Sequence, residues 1–512
     1  MKKTKTKTDA KSLWIKIGVI AFVAIFAATL LFSVLRYTGG IMQRITPAIT
    51  IGDEKATAMD VRIFYADTRM NYLYQYGYIL QLYGYDLSTI DSQVCLYDSS
   101  MTWSQYFLSE SINSLTTMLI LKQMAEADGF EVSAEVKADV ADYISGLEDG
   151  AKEAGMSTRK YLKQIYGTGT TLKDIEKIAT LSQYTNEYYE TVYKNFYDGI
   201  TADAVETYYG EHKDEFDVAN YYALTVKFDT VKYTAPAEGE ELAEGAATSE
   251  EDATLKTEAN RQAAETLANE IKEKVTAENF DEIAQEYWTK ADPANADVEF
   301  TTRLTSGKIS DTTSVVGSWY NSSEIASGAK MALDNSDKNE YIVVLYVDRT
   351  REEVETVNVH HILIGATTEI SDDLTDEEKA EAEKAKAEAK QKAEEILDEF
   401  KAGANTVEAF EALGDKYAKD ADEVADYQNI VPGEMVETFD AWIFDEARQV
   451  GDVAVVETSY GYHVIYFDGA GELAYLATIK DTLASEKYVD KFDSFSKGMK
   501  SGSSKFGMML AF

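Results

Sequence analysis

The chain has 512 residues, with 90 acidic against 49 basic side chains and a net charge of −41. That length exceeds one ordinary core, so several domains are expected, and a hydrophobic content of 45% excludes wholesale disorder. The charge argues against a nucleic-acid partner, because phosphate recognition needs a basic surface; the plain role of such an exterior is solubility.

Residues 2–11 hold five lysines and one aspartate, and nineteen residues from Ile17 to Leu35 then pass without a charge before Arg36. At 1.5 Å rise per residue that run just spans a hydrocarbon core of about 30 Å. It is longer than the apolar region of a cleaved signal peptide and lacks a small-residue cleavage site. We therefore read 1–12 as a basic cytoplasmic tail and 13–36 as an uncleaved transmembrane anchor. The lysines hold the tail inside and place the rest of the chain on the outer face. Cys95 is the only cysteine, so no internal disulfide contributes to an exported chain; stability must come from packing, as on a Gram-positive-like surface. No cysteine closely follows the apolar run, which excludes a lipoprotein anchor.

From about residue 50 to Asp217 the apolar spacing is helical, with helices predicted at 133–155, 157–165, 171–198 and 202–213 and another beginning near Trp103. Tyrosines crowd the early part: Tyr65, Tyr72, Tyr74, Tyr76, Tyr78, Tyr83 and Tyr85. Tyrosine offers contact area at small entropy cost together with a hydroxyl, which suits tolerant grasp of unfolded chain. The same residues also suit a helix face packing on its own domain, and both readings stay open. His212 reads as a solvated surface residue.

Residues 218–350 read as a degraded copy of the segment that follows. Asn220–Val226 is similar to Asn358–Ile364, an acidic Gly/Ala-rich insert runs from Ala235 to Asp252, and an Ala/Glu/Lys helix and a closing strand Tyr341–Asp348 come after. In this correspondence Ala223 takes the place of His361, Lys290 that of Asp420, and Val343 that of His463.

The segment 354–469 opens with the strand-like run Val357–Ile364, containing His360-His361-Ile362-Leu363, and closes with Tyr460–Phe467, containing Gly461-Tyr462-His463-Val464-Ile465. Between them lies Gly433-Glu434-Met435, four residues before Phe439. Three of the four histidines of the chain sit in the two bracketing strands. In this order these motifs resemble the parvulin family of peptidyl-prolyl cis/trans isomerases. The helical region, with Tyr161–Gly167 and Tyr208–Phe216, resembles the N-terminal domain of SurA-like and PrsA-like extracytoplasmic foldases. In those proteins the C-terminal segment, here 470–512, returns to complete the helical domain, and an apolar tail left in water would invite aggregation.

The resemblance implies roles for particular residues. His361, Asp420 and His463 would form the catalytic polar network; Met435 and Phe439 would floor the proline pocket, on one face if that stretch is helical. Tyr427 falls where the family has an apolar wall residue, and Thr458 bridges the histidines or they bond directly. His360 points to the other sheet face by strand alternation. The family's glycine turn before the Met/Phe stretch is replaced by Ala425–Ile430, so the backbone there must take another path. His361, His463 and Asp420 are zinc-compatible ligand types, but no short-spaced ligand pair supports a metal, and neither metal nor cofactor is expected.

The fold class is α+β: an N-terminal transmembrane helix, a helical SurA-like chaperone domain (50–217), two tandem parvulin-like domains, the first (218–350) degenerate and the second (354–469) a PPIase domain, and a C-terminal helix. The function implied is a membrane-anchored foldase that binds unfolded, newly translocated polypeptides and isomerises their X-Pro bonds. The alternative is a non-catalytic holdase with both parvulin domains inactive.

Overall fold

Two long helices begin with the same reciprocal cap. Thr57 Oγ1 accepts from Asp60 N–H while the Asp60 carboxylate accepts from Thr57 N–H, starting α1 (Ala58–Leu82). Thr102 and Gln105 do the same for α2 (Trp103–Asp128). Each box satisfies two backbone donors that the first turn leaves without partners. Helices α3 (Ala134–Glu153), α4 (Thr158–Tyr166) and α5 (Leu172–Asp198) lie within two residues of the ranges the spacing predicts. The computed structural model describes residues 40–236, 243, 245–321, 325–366 and 375–512. The tail 1–12 and the anchor 13–36 lie outside the described residues, and among those described no helix is long and apolar enough to cross a membrane.

The chain divides into two compact units, one ending at Gly199 and including Leu483–Phe512, the other running from Ile200 to Thr482. In the first, α1, α2 and α5 bury Val61, Leu115, Leu119, Met124 and Tyr188 together with Leu510 and Ala511 from the other end of the chain. A small antiparallel sheet, absent from the helical sequence pattern, joins β1 (Pro47–Ile51) to β2 (Glu54–Thr57) on one side and to Ser501–Ser503 on the other. The helix Lys505–Ala511 crosses β1 in backbone contact: a Cβ on Gly507 would lie 2.2 Å from the Pro47 carbonyl oxygen. Arg62 Nε donates to the Ala511 carbonyl at 2.7 Å.

The unit boundary falls at Gly199, earlier than the expected 217. Helix Ala202–Glu211 belongs to the second unit, where Arg351 pairs with Glu206 at 2.8 Å and lies 4.6 Å over the Tyr209 ring. Tyr209 in turn donates to Asp217 at 2.6 Å.

The second unit contains two four-stranded antiparallel sheets of one design. The first comprises β3 (Asp217–Lys227), α6 (Glu250–Lys274), α7 (Phe280–Ala291), β4 (Leu304–Lys308), α8 (Val315–Asn321), β5 (Lys330–Asn335) and β6 (Glu340–Arg351). The second repeats the order with β7 (Val357–Gly365), α9 (Asp376–Ala402), α10 (Val407–Tyr417), β8 (Glu423–Ile430), α11 (Glu437–Ile443), β9 (Val453–Thr458) and β10 (Gly461–Ala470). Their strand orders, β4-β3-β6-β5 and β8-β7-β10-β9, are equivalent. Each sheet buries one face under its two longer helices, Leu224, Val343 and Leu345 in the first and Ile362, Val464 and Tyr466 in the second. The short helix α8 or α11 covers the other face.

Leu510 is fully buried in the core of the first unit. Leu510→Ala should therefore cost about 2–5 kcal/mol, read as faster amide hydrogen exchange across residues 115–125 with β7 and β10 unaffected; equal protection in α2 would refute the closure of that core by the C-terminus.

Candidate active site

Strand register places the two histidines on one face. His361 of β7 lies opposite Ile465 of β10 and Ala425 of β8, and His463 lies opposite Leu363 and Val456. Because alternate residues share a face, His361 and His463 join Val359, Ile465 and Phe467 on the side covered by α11, where Phe439 and Ile443 are buried and Met435 and Tyr427 half-buried. His360 lies on the opposite face, with Asp426 Oδ1 at 3.7 Å and Asp468 Oδ2 at 4.0 Å.

The rings form a short chain of contacts. His361 Nδ1 and His463 Nδ1 are 3.2 Å apart, and His463 Nε2 meets Thr458 Oγ1 at 2.9 Å. Thr458 Oγ1 also accepts from Tyr460 N–H at 3.1 Å. His361 stacks on Tyr427 (centroids 4.9 Å, planes 20° apart), and Phe439 meets His361 and His463 edge-on at 5.8 and 5.2 Å. Met435 sits just before the cap of α11 rather than within it, so the turn, not helical spacing, brings it to the same apolar cluster as Phe439.

Asp420 is not brought to this cluster, which corrects the sequence expectation. It lies in the turn after α10, exposed, and its carboxylate pairs with Lys392 of α9 at 2.9 Å. Three residues later, Glu423 opens β8 opposite Leu363, and alternation puts it on the histidine face with Tyr427. Glu423 Oε2 is 3.8 Å from His361 Nε2, and Tyr427 donates to its other oxygen at 2.9 Å. Strand period two, counted back from Tyr427, was the signal for this residue; distance from α10 was not. The missing glycine turn is resolved by Asn429, which takes the left-handed region (φ 57°) that asparagine tolerates better than other side chains. Its N–H donates to Asn358 Oδ1 at 2.8 Å, and its own Oδ1 accepts from Glu472 N–H at 2.7 Å.

Burial pushes His361 down to about 4, and burial followed by the neighbouring His361 pushes His463 down to about 4. Both rings are therefore neutral at pH 7, and one Nδ1 must donate to the other. The Glu423 carboxylate favours the proton on His361 Nε2, which makes His361 Nδ1 the acceptor and His463 Nδ1–H the donor. His463 Nε2 then accepts from the Thr458 hydroxyl. In this arrangement His361 Nε2–H has no hydrogen-bond partner although it is buried. A buried polar atom left unpaired is a costly feature that points to use by a ligand. Among the described residues no cluster of side chains could hold a metal ion.

On this face of the sheet a neutral histidine pair with an orphaned donor lies against an apolar cluster that contains Phe439, Met435 and Tyr427. Residues 343–469 match the family model for the PPIC-type PPIase domain, so the chain carries a parvulin-type peptidyl-prolyl cis/trans isomerase domain. No curated protein matches the chain. Among solved structures it is similar to the foldase protein PrsA from Lactococcus lactis, at 12% identity and a TM-score of 0.19, over 73% of this chain and 99% of that one.

The equivalent face of the first sheet carries other residues. Both sheets carry a bulge at one place, between Tyr346 and Asp348 opposite Tyr221 and Asn220, and between Phe467 and Gly469 opposite Val359 and Asn358. Aligning the bulges puts Ala223 in the place of His361 but Ile342, not Val343, in that of His463. Val343 faces the long helices. Lys290 lies inside α7, whereas Asp420 lies beyond the end of α10.

The depressed histidines have a stability consequence. Between about 6.5 and 4 the unfolded chain takes up protons on these rings that the folded domain does not, so stability is retained above that window and lost as pH falls through it. Hydrogen exchange of β7 and β10 should accelerate from pH 6.5 towards 4, after correction for intrinsic rates. His361→Gln/His463→Gln should show a flatter dependence; identical slopes would contradict burial of neutral rings.

Proposed function

We propose that this protein is a membrane-anchored extracytoplasmic foldase that binds newly exported, unfolded polypeptides and isomerises their X-Pro bonds in the cleft between α11 and the second sheet. The observation that carries the catalytic reading is the orphaned His361 Nε2–H beside the cradle of Met435, Phe439 and Tyr427.

Rotation about an X-Pro bond meets a barrier of about 18–20 kcal/mol because amide resonance must be broken, and uncatalysed exchange is slow enough to limit folding. As the bond twists, the lone pair localises on the prolyl nitrogen and the carbonyl oxygen loses negative charge. A donor that meets the nitrogen therefore binds the twisted amide more tightly than the planar one, which is the condition for catalysis. The Glu423 carboxylate, an acceptor only, disfavours a carbonyl oxygen beside it most when the amide is planar and that oxygen is most negative. The apolar cradle holds the five-membered ring and strips water from the amide. His463, Thr458 and Glu423 act on His361, fixing its tautomer. Thr458 thus supports the ring pair more directly than it supports substrate.

The first sheet reads as a degenerate parvulin-like domain. Its strand order supports this, as does the loss of both histidines to Ala223 and Ile342, which removes the polar network and leaves an apolar face with Tyr221 and Tyr320 rings 5.9 Å apart. The lysine-flanked apolar run 13–36 supports the anchor and an outer-face location on a Gram-positive-like surface. Deleting residues 1–36 should move the protein from the membrane pellet to the supernatant, and retention in the pellet would refute the anchor.

Catalysis is tested with a proline-containing peptide. His463→Ala and His361→Ala should each lower the catalysed rate by about tenfold or more, since a buried hydrogen-bonded partner is lost. Glu423→Gln should lower it as well, whereas Asp420→Ala should stay within about twofold of the parent, as expected of an exposed side chain. A His463→Ala protein equal to the parent would remove the isomerase claim for this cleft. Suppression of client aggregation with no rate gain from the parent would favour the holdase.

A further inference from the structure

The tyrosines of the first unit divide in two. Tyr65, Tyr72 and Tyr85 turn inward onto Leu80, Trp103 and Phe107, with Tyr72 ringed by Trp103, Tyr106 and Phe107 at 5.3–6.1 Å. Tyr74, Tyr78 and Leu82 do the opposite, at 93%, 73% and 70% exposure. With Met70 they stand at four-residue steps, so they form one stripe along the outer face of α1, about 18 Å long at helical rise. Tyr83 and Tyr97 are exposed as well.

An exposed apolar stripe is costly and marks a surface that is used. Its setting says by what. From Thr68 to Tyr85 the only charged residue is Arg69, in a chain where 27% of residues are charged. That arginine is held by Asp91 at 2.7 Å. Asp86 directly follows the segment, and hydrogen bonds from Ser88 and Thr89 hold its carboxyl below the usual range, so it stays ionised. A second copy of this chain would bring another charge of −41 against the first, which repulsion opposes. An anionic lipid surface is disfavoured for the same reason, and the stripe has no free cation to meet headgroups.

We infer that the outer face of α1, formed by Met70, Tyr74, Tyr78 and Leu82, is a docking surface for extended, unfolded polypeptide segments in which apolar residues alternate with lysine or arginine. The inference rests on the foldase reading and adds where the client is held and what it looks like. Leucine-sized side chains lie along the stripe, which spans about five or six extended residues. Lysine and arginine heads meet the exposed tyrosine faces and the anionic border. No proline is required, so this surface and the isomerase cleft select different features of one client.

The test uses the full chain in nanodiscs of zwitterionic lipid and short, proline-free, fluorescent peptides: leucine with lysine, leucine with glutamate, and serine with lysine. By anisotropy the parent should bind the leucine/lysine peptide at least about tenfold more tightly than the other two, and Tyr74→Gln/Tyr78→Gln/Leu82→Gln should lose about tenfold of that affinity. Isomerisation of a proline tetrapeptide should be unchanged in the variant. Equal binding by variant and parent overturns the surface and leaves the foldase reading intact. No peptide binding by the parent overturns the surface and the holding half of that reading, while the tetrapeptide assay reports separately on the isomerase. Equal binding of the glutamate peptide overturns the charge selection. A variant that loses self-association or anionic-vesicle binding, with peptide affinity unchanged, assigns the stripe to another occupant and overturns the inference.

Discussion

The contact between His361 Nδ1 and His463 Nδ1, 3.2 Å long and shut away from water, is the constraint from which the rest of the site follows. It exists only because β7 and β10 are antiparallel neighbours in one particular register, His361 opposite Ile465 and His463 opposite Leu363. A slip of one residue would turn a ring to the face beneath α9 and α10. Burial keeps both rings neutral, neutrality forces one to donate to the other, and the carboxylate at Glu423 decides which. What emerges is a single buried N–H without a hydrogen-bond partner beside an apolar cluster. The site depends on charge being kept out as much as on polarity being put in.

The paired sheets show which parts of this design the fold itself requires. Both keep a largely apolar face beneath two long helices, because that face is the core; His360, the buried histidine on it, lies near Asp426 and Asp468, as a polar group there needs a partner. Both keep the bulge and the strand order. The opposite face, covered only by a seven-residue helix in each case, carries His361 and His463 in one sheet and Ala223 and Ile342 in the other. The same strand order is therefore built with or without a polar network on that face.

Tyrosine serves the first unit in two ways. Inward rings at Tyr65, Tyr72 and Tyr85 build a satellite aromatic core around Trp103, while Tyr74 and Tyr78 are left in water. The turn of α1 sorts Tyr65 and Tyr72 to the packed side and Tyr74 and Tyr78 to the exposed one.

Local pattern by itself determined a good deal. Helical spacing located α3, α4 and α5 to within two residues, since that signal acts within a few turns of chain. The order of motifs around His361, Met435, Phe439 and His463 identified the isomerase domain. Tertiary structure decided that Asp420 is left outside the histidine cluster, and that Ile342 rather than Val343 shares the face covered by α8 with Ala223. It also decided that Ser501–Ser503 pairs with β1, across some 450 residues of chain. For the last two the deciding quantity was a cross-strand register. Register is set by which neighbour a strand finds and where a bulge falls, and a segment read in isolation contains neither.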